Sequence, residues 1–96
     1  MVRGSTDKII ITIDDLSENV TDLRATIAQE DVKITKYLEE VTIEEKTVTI
    51  PLSQEDTLKL NKGRAKVQVK WTNGEIVGNT IASQIYLDED YDGQTI

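Results

Sequence analysis

Two residue types that carry much of protein chemistry are missing from this chain, which has no cysteine and no histidine. Without cysteine there are no disulfides, thiolate nucleophiles or Cys-ligated zinc or iron–sulfur sites. Without histidine the chain lacks the commonest general base, the commonest transition-metal ligand and the side chain that changes charge near neutral pH. Phenylalanine is absent as well, and the aromatics reduce to Trp71, Tyr37, Tyr86 and Tyr91. Packing therefore falls to Ile, Val and Leu, and few aromatic platforms remain for a carbohydrate. No apolar run approaches the roughly 18–20 residues of a membrane span, and the start, MVRGSTD, has no apolar h-region. The chain reads as soluble and made inside the cell.

What remains is one acidic domain. At 96 residues the chain fits a single unit, residues 1–96, in which only 1–6 and 88–96 look detachable. Eighteen acidic residues against eleven basic ones give a net charge of −7. A chain so charged is repelled by nucleic acid and by anionic membranes, so neither is an expected partner. With acid–base and metal chemistry stripped of their usual residues, no enzyme activity, cofactor or small-molecule substrate is expected.

Organisation begins with the stretch from Leu58 to Ser83. Arg64, Lys66, Gln68 and Lys70 alternate with Ala65, Val67, Val69 and Trp71, a period of two that predicts a strand with one dry and one wet face. Asn73-Gly74 predicts a two-residue type I′ turn. That register would set Trp71 opposite Ile76, Val69 opposite Gly78, Val67 opposite Thr80 and Ala65 opposite Ala82. Further on, however, the apolar residues are odd-numbered, Ile85 and Leu87. One extra residue between Gly78 and Gln84 restores the parity, so a β-bulge or a strand switch is expected there. Gly78, diagonal to Trp71 in this register, leaves room for the indole.

Elsewhere the chain continues in short strands. Lys8–Ile13 puts Ile9, Ile11 and Ile13 on one face, and Ile10 on the other suggests cover on both sides. Asp14-Asp15-Leu16-Ser17 makes a turn. Thr21–Gln29 sets Leu23, Ala25 and Ile27 against Asp22, Arg24 and Thr26; Val32–Leu38 sets Val32 and Ile34 against Lys33 and Thr35. Gln29-Glu30-Asp31 joins these two as a hairpin. Val41–Ile43 and Thr47–Leu52 follow, with Pro51 expected at an edge or strand end because it has no N–H to give. Ser53-Gln54-Glu55-Asp56 opens a short helical turn near residues 53–60, capped by Ser53. Six to eight strands with one helical turn imply an all-β fold: a small antiparallel, immunoglobulin-like β-sandwich.

Candidate sites are few. Asp88, Asp90, Asp92 and Gly93 have the D-x-D-x-D-G spacing of a calcium loop, but the twelfth-position Glu would fall past Ile96 and a solvated acidic segment explains them. Asn19-Val20-Thr21 is a formal glycosylation sequon in a chain without a visible leader. The feature that survives is a charge asymmetry. No acid occurs from Thr57 to Gly74, whereas Lys59, Lys62, Arg64, Lys66 and Lys70 do. The plainer reading is cross-strand ion pairing within the chain. The functional one is docking of Lys62, Arg64, Lys66 and Lys70 on the acidic Asp88, Glu89, Asp90 and Asp92 of another copy.

The order of residues also resembles a family. Arg3-Gly4-Ser5-Thr6, an isoleucine strand, Asp14-Asp15-Leu16-Ser17 and Leu23-x-x-Thr26-Ile27-x-Gln29 resemble the opening of short phage and prophage proteins of Gram-positive bacteria. Val48-Thr49-Ile50-Pro51-Leu52-Ser53-Gln54-Glu55-Asp56-Thr57-Leu58, then Lys62-Gly63 and a V-Q-V-x-W strand, is similar to their middle segment. Asp92-Gly93-Gln94-Thr95-Ile96 is similar to their D-G-V-I ending. Asp7, in place of proline, and Gln94-Thr95 depart from the pattern. The resemblance implies no catalytic residues. It implies a non-enzymatic structural part of a virion (tail, neck, baseplate or head decoration), made in the host cytoplasm and contacting itself or other virion proteins. A generic immunoglobulin-like module binding a protein or carbohydrate is the alternative.

Overall fold

The computed structural model describes residues 1–2, 4–16 and 19–88, with only the backbone for 80–84. Its strands are β1 (Asp7–Thr12), β2 (Asp22–Gln29), β3 (Val32–Tyr37), β4 (Thr42–Glu44), β5 (Thr47–Leu52), β6 (Gly63–Thr72) and β7 (Val77–Leu87). A 3-10 turn, Leu38–Glu40, and one short helix, α1 (Gln54–Lys59), interrupt them. The strands form two antiparallel sheets, β1-β5-β4 and β3-β2-β6-β7. The expected small all-β sandwich is what the chain forms.

The period-two patterns place the core. Ile9 and Ile11 from β1 and Val48, Ile50 and Leu52 from β5 meet Leu23, Ala25, Ile27, Val67, Val69 and Trp71 from the larger sheet in one buried cluster. Each large aliphatic side chain so buried contributes roughly 1.5–3 kcal/mol. In an immunoglobulin constant domain the second strand pairs with the first and fifth. Here β2 lies between β3 and β6 instead. That placement puts the wet face of β2 beside the wet face of β6.

The hairpin departs from its expected register. Trp71 pairs with Gly78 and Val69 with Thr80, two residues along from the two-residue-turn pairing. The cause is the Asn73 side chain, whose Oδ1 accepts the N–H groups of Glu75 and Ile76, both at 2.9 Å. This Asx-type closure widens the loop to Asn73–Ile76, with Gly74 alone at positive φ, 97°. Ile76, expected inward, is 60% exposed at the tip. The bulge is present: Gln68 pairs with Ile81 but Val67 with Ser83, leaving Ala82 over. Beyond it Ile85 reaches the core's margin and Leu87 is fully buried.

One other expectation is corrected. Ile10 is exposed, because the outer face of the β1-β5-β4 sheet has no layer over it among the described residues. Met1, Val2, Gly4 and Ser5 make contacts with the rest of the chain. Asp88 N–H donates to Met1 O at 2.7 Å, and Val2 bridges Asp88 in parallel. The buried Thr57 hydroxyl accepts from Gly4 N at 3.0 Å and donates to Ser5 O at 2.7 Å. Pro51 pairs with Lys8 on β1 at a level β4 no longer covers, so its missing N–H leaves no β4 bond unmade.

Candidate functional site

The cross-strand registers of the larger sheet determine what its wet face presents. Along β6, Arg64, Lys66, Gln68 and Lys70 alternate outward from the buried Ala65, Val67, Val69 and Trp71. On one side β2 sets Ala28 against Lys66, Thr26 against Gln68 and Arg24 against Lys70. Beyond it β3 sets Lys33 against Ala28 and Tyr37 against Arg24. On the other side Tyr86 pairs with Arg64, Gln84 with Lys66 and Asn79 with Lys70.

None of these partners is acidic, so direct cross-strand pairing does not neutralise Arg64, Lys66 or Lys70. Among the described residues no carboxylate lies within ion-pair distance of Arg24, Lys33, Arg64, Lys66 or Lys70; the ion pairs found there both belong to Lys36. Asp22, at the end of β2, is the acid on this face, and its Oδ1 accepts the Leu23 N–H at 2.9 Å. Five of the chain's eleven cations thus share one sheet face of a protein with net charge −7.

The face is not flat at its hairpin end. A depression of about 310 Å³ is lined by Arg24, Thr26, Thr35, Tyr37, Gln68, Lys70 and Asn79. Its floor is fixed by Gln68 Nε2, which donates to Asn79 Oδ1 at 2.8 Å. A second hollow of about 180 Å³, reaching Trp71 and Val77, shares Arg24 and Lys70 with the first and is lined by the carboxylate-bearing Asp22 as well. Two cations at paired positions repel each other. With hydroxyls and a phenol beside them, they suit carboxylate oxygens. Tyr37, Ile76 and Val77, exposed by 46, 60 and 64%, give the same end an apolar rim.

The docking residues expected from sequence divide into three groups. Arg64, Lys66 and Lys70 lie together on the face. Lys62 and Asp88 are both exposed at the opposite end of the sheet, flanking the Gly63–Leu87 pair. Glu89, Asp90 and Asp92, with the calcium-like spacing they complete, lie outside the described residues. Sequence reading missed Arg24, Lys33 and Tyr37 as members of the site. Alternation already turned Arg24 and Lys33 outward, but only the β3-β2-β6 order makes them neighbours of Lys70 and Lys66.

A second polar cluster was also missed. Lys36 Nζ lies 2.7 Å from Asp56 Oδ2 and 4.0 Å from Glu40 Oε2, joining β3 to α1. Asp56 also closes the capping box: it accepts the Ser53 N–H at 2.9 Å while its own N–H donates to Ser53 Oγ at 3.1 Å. Burial pushes the Asp56 carboxyl up, but the Lys36 ammonium and the Ser53 hydrogen bonds together outweigh it and hold the pKa below the ordinary value. With every partner accounted for, this cluster is a structural tie. No protein-family model and no curated protein matches the chain.

Proposed function

We propose that this chain is a non-enzymatic structural and assembly component of a phage or prophage particle, docking on itself or on neighbouring virion proteins. One observation carries the reading: a sheet face bearing Arg24, Lys33, Arg64, Lys66 and Lys70, with no acid opposite them, on a chain of net charge −7. An excess of charge of one sign on a face, opposite to the net charge, favours contact with an acidic surface. The order of motifs that resembles short phage proteins supports the virion setting. The segment Val48–Leu58, which carries much of that resemblance, builds β5 and the capped α1.

Sedimentation velocity over a concentration series, at about 0.15 M and about 1 M salt where the Debye length falls from roughly 8 to 3 Å, tests it. Concentration-dependent association that weakens in high salt, with rings or rods in electron micrographs, is the expected result. A chain that stays monomeric at every concentration and salt, and that captures no acidic virion protein, would overturn it.

A further inference from the structure

The open edges of the two sheets are not equally protected. Among the described residues, β1, β4, β3 and β7 each have one side without a neighbouring strand. A bare edge pairs with other chains unless shortness, charge, proline or a bulge blunts it. Strand β4 is three residues long and ends on Glu44. Strand β7 is bulged where it passes Val67 and Gln68, and β3 carries Lys33 and Lys36. Strand β1 has six residues in unbroken register with β5, and after Asp7 and Lys8 it reads Ile-Ile-Ile-Thr.

Hydrogen bonds fix which groups face that open side. Ile13 N–H donates to Lys46 O at 2.8 Å, toward β5. Bonded positions alternate in an antiparallel pair. Ile9 and Ile11 therefore turn their main-chain groups toward β5 as well, and Lys8, Ile10 and Thr12 turn theirs to the edge. Lys8 agrees: its N–H donates to the Asp7 Oδ1 at 2.7 Å and not to Pro51, the residue opposite it on β5. The Ile10 side chain, 59% exposed, stands on the outer face at the same level. A groove of about 330 Å³ separates this part of β1 from Ile85 and Tyr86 of β7, so the larger sheet does not close over the edge.

We infer that β1 pairs antiparallel with β1 of a second copy of this chain, about a two-fold axis at Ile10. The two three-stranded sheets then become one continuous sheet. The inference goes beyond the cationic-face reading and does not rest on it, because β1 belongs to the other sheet. Self-complementarity names the occupant. Lys8, Ile10 and Thr12 are symmetric about Ile10, so this register sets Ile10 against Ile10 of the second copy and Lys8 against its Thr12. Every edge-facing residue of β1 is then used, whereas a shift of two leaves Lys8 or Thr12 unpaired within the strand. A shift of one would turn buried side chains to the outer face. The two Ile10 side chains meet with Cβ atoms about 5 Å apart, and Ile9 comes opposite Ile11 on the inner face. Exposed Asp14, two residues past Thr12, brings a carboxylate diagonal to Lys8 of the other copy. The contact is isologous and closes at two copies.

Charge placed on the axis tests this. Ile10→Lys sets two ammonium groups opposite each other, and Ile10→Glu sets two carboxylates. The position is exposed, so each variant should keep the parent's circular dichroism. Alone, each should dimerise about tenfold or more weakly than the parent in sedimentation. Mixed, they should form a one-to-one heterodimer, because only a residue that faces itself is rescued by its opposite. In the parent, amide exchange at Ile10 and Thr12 should slow as concentration rises, while Ile9 and Ile11 are slow throughout. An Ile10 amide that is slow at every dilution would mean that the chain's own residues fill the edge, and would overturn the inference. Variants that do not rescue each other, or a parent that is monomeric at every concentration, would overturn it too. Association that ignores both Ile10 variants but is lost at about 1 M salt would overturn the edge contact and leave the cationic-face reading standing. Association that survives that salt and Arg64→Glu/Lys66→Glu, but not Ile10→Lys, would do the reverse.

Discussion

Gly78 lies directly across the β6–β7 ladder from Trp71, and the indole fills the volume that a side chain at 78 would need. A Cβ placed on Gly78 would overlap the indole atoms Cε2, Cζ2 and Nε1. The ring is 5% exposed and packed in the core, so it has little room to retreat. Gly78→Ala should therefore destabilise by about 1–3 kcal/mol, the range for overpacking. Trp71→Ala should cost about 3–5 kcal/mol as a large core truncation. With Trp71 already Ala, Gly78→Ala should become neutral or stabilising, since Gly in a strand costs roughly 0.5–1 kcal/mol against Ala. Urea denaturation of the four proteins in the cycle measures this coupling; additive effects would mean that the indole does not use the space.

The same pair shows what could be read from the sequence and what could not. Alternation along β6 identified the buried face, because a period of two is a property of one strand and needs no partner. The irregularity was legible too, since the shift from even to odd inward positions between Gly78 and Ile85 needs a bulge or a strand switch, and the ladder shows the bulge. The exact partner of Trp71 was not, because it depends on the Asn73 side chain capturing two N–H groups and lengthening the loop. Ile10 was misread for a related reason: an apolar residue on the second face of a strand says nothing about whether another layer covers it. The site suffered most. Arg24 was visibly outward, yet its proximity to Lys70 depends on β2 lying beside β6, and no local pattern encodes strand order. Lys36 shares its face with Ile34, and its pairing with Asp56 joins residues 20 positions apart.

The Lys36–Asp56 pair should be visible in the acid limb of the stability curve. Asp56 has a lowered pKa in the folded chain, so the folded state binds fewer protons at this group than the unfolded state near its ordinary pKa of 3.8. The stability it contributes is present above that pH and is lost as pH falls through the lowered value. The melting temperature should fall on acidification through this window, and Asp56→Asn should fall less steeply. Lys36→Met removes the leading opposition to burial, so the Asp56 pKa should rise and the acid dependence shrink. At neutral pH Lys36→Met should destabilise by about 1–3 kcal/mol, the range for leaving a buried polar group without its partner, or by more because the Asp56 carboxylate is charged. Identical acid limbs in all three proteins would assign the acid sensitivity elsewhere.

Gln29 ties the end of β2 to the entry of β6. Its Oε1 accepts the Asn61 N–H at 2.6 Å, and its Nε2 donates to Asn61 O at 2.8 Å. The side chain thus mimics a strand across a gap where no strand runs. Gln29→Leu preserves the volume and leaves both Asn61 backbone groups to find water. A loss of about 1–3 kcal/mol is expected, with faster amide exchange at Asn61 as the local readout. Unchanged exchange at Asn61 would mean that solvent already satisfies these groups.

Arg24 and Lys70, paired across β2 and β6, set stability against assembly. Like charges at directly opposed positions destabilise a sheet by roughly 0.2–1 kcal/mol, and opposite charges reverse the sign. Lys70→Glu should therefore raise the monomer's stability, with each kcal/mol worth about 4–8 °C in a domain of this size. The gain should fade near 1 M salt, where screening shortens to about 3 Å. Lys66→Glu is the control, because Lys66 faces Ala28 on β2 and no opposed cation is relieved. Its melting temperature should move little. The docking reading requires Lys70→Glu to weaken association while it strengthens the fold, an opposition that a merely structural residue does not produce. Thermal melts at two salt concentrations, read beside sedimentation of the same samples, separate the two roles. A Lys70→Glu protein that melts lower than the parent would show that Arg24 and Lys70 do not repel, and the cleft would lose the feature that calls for an anionic occupant.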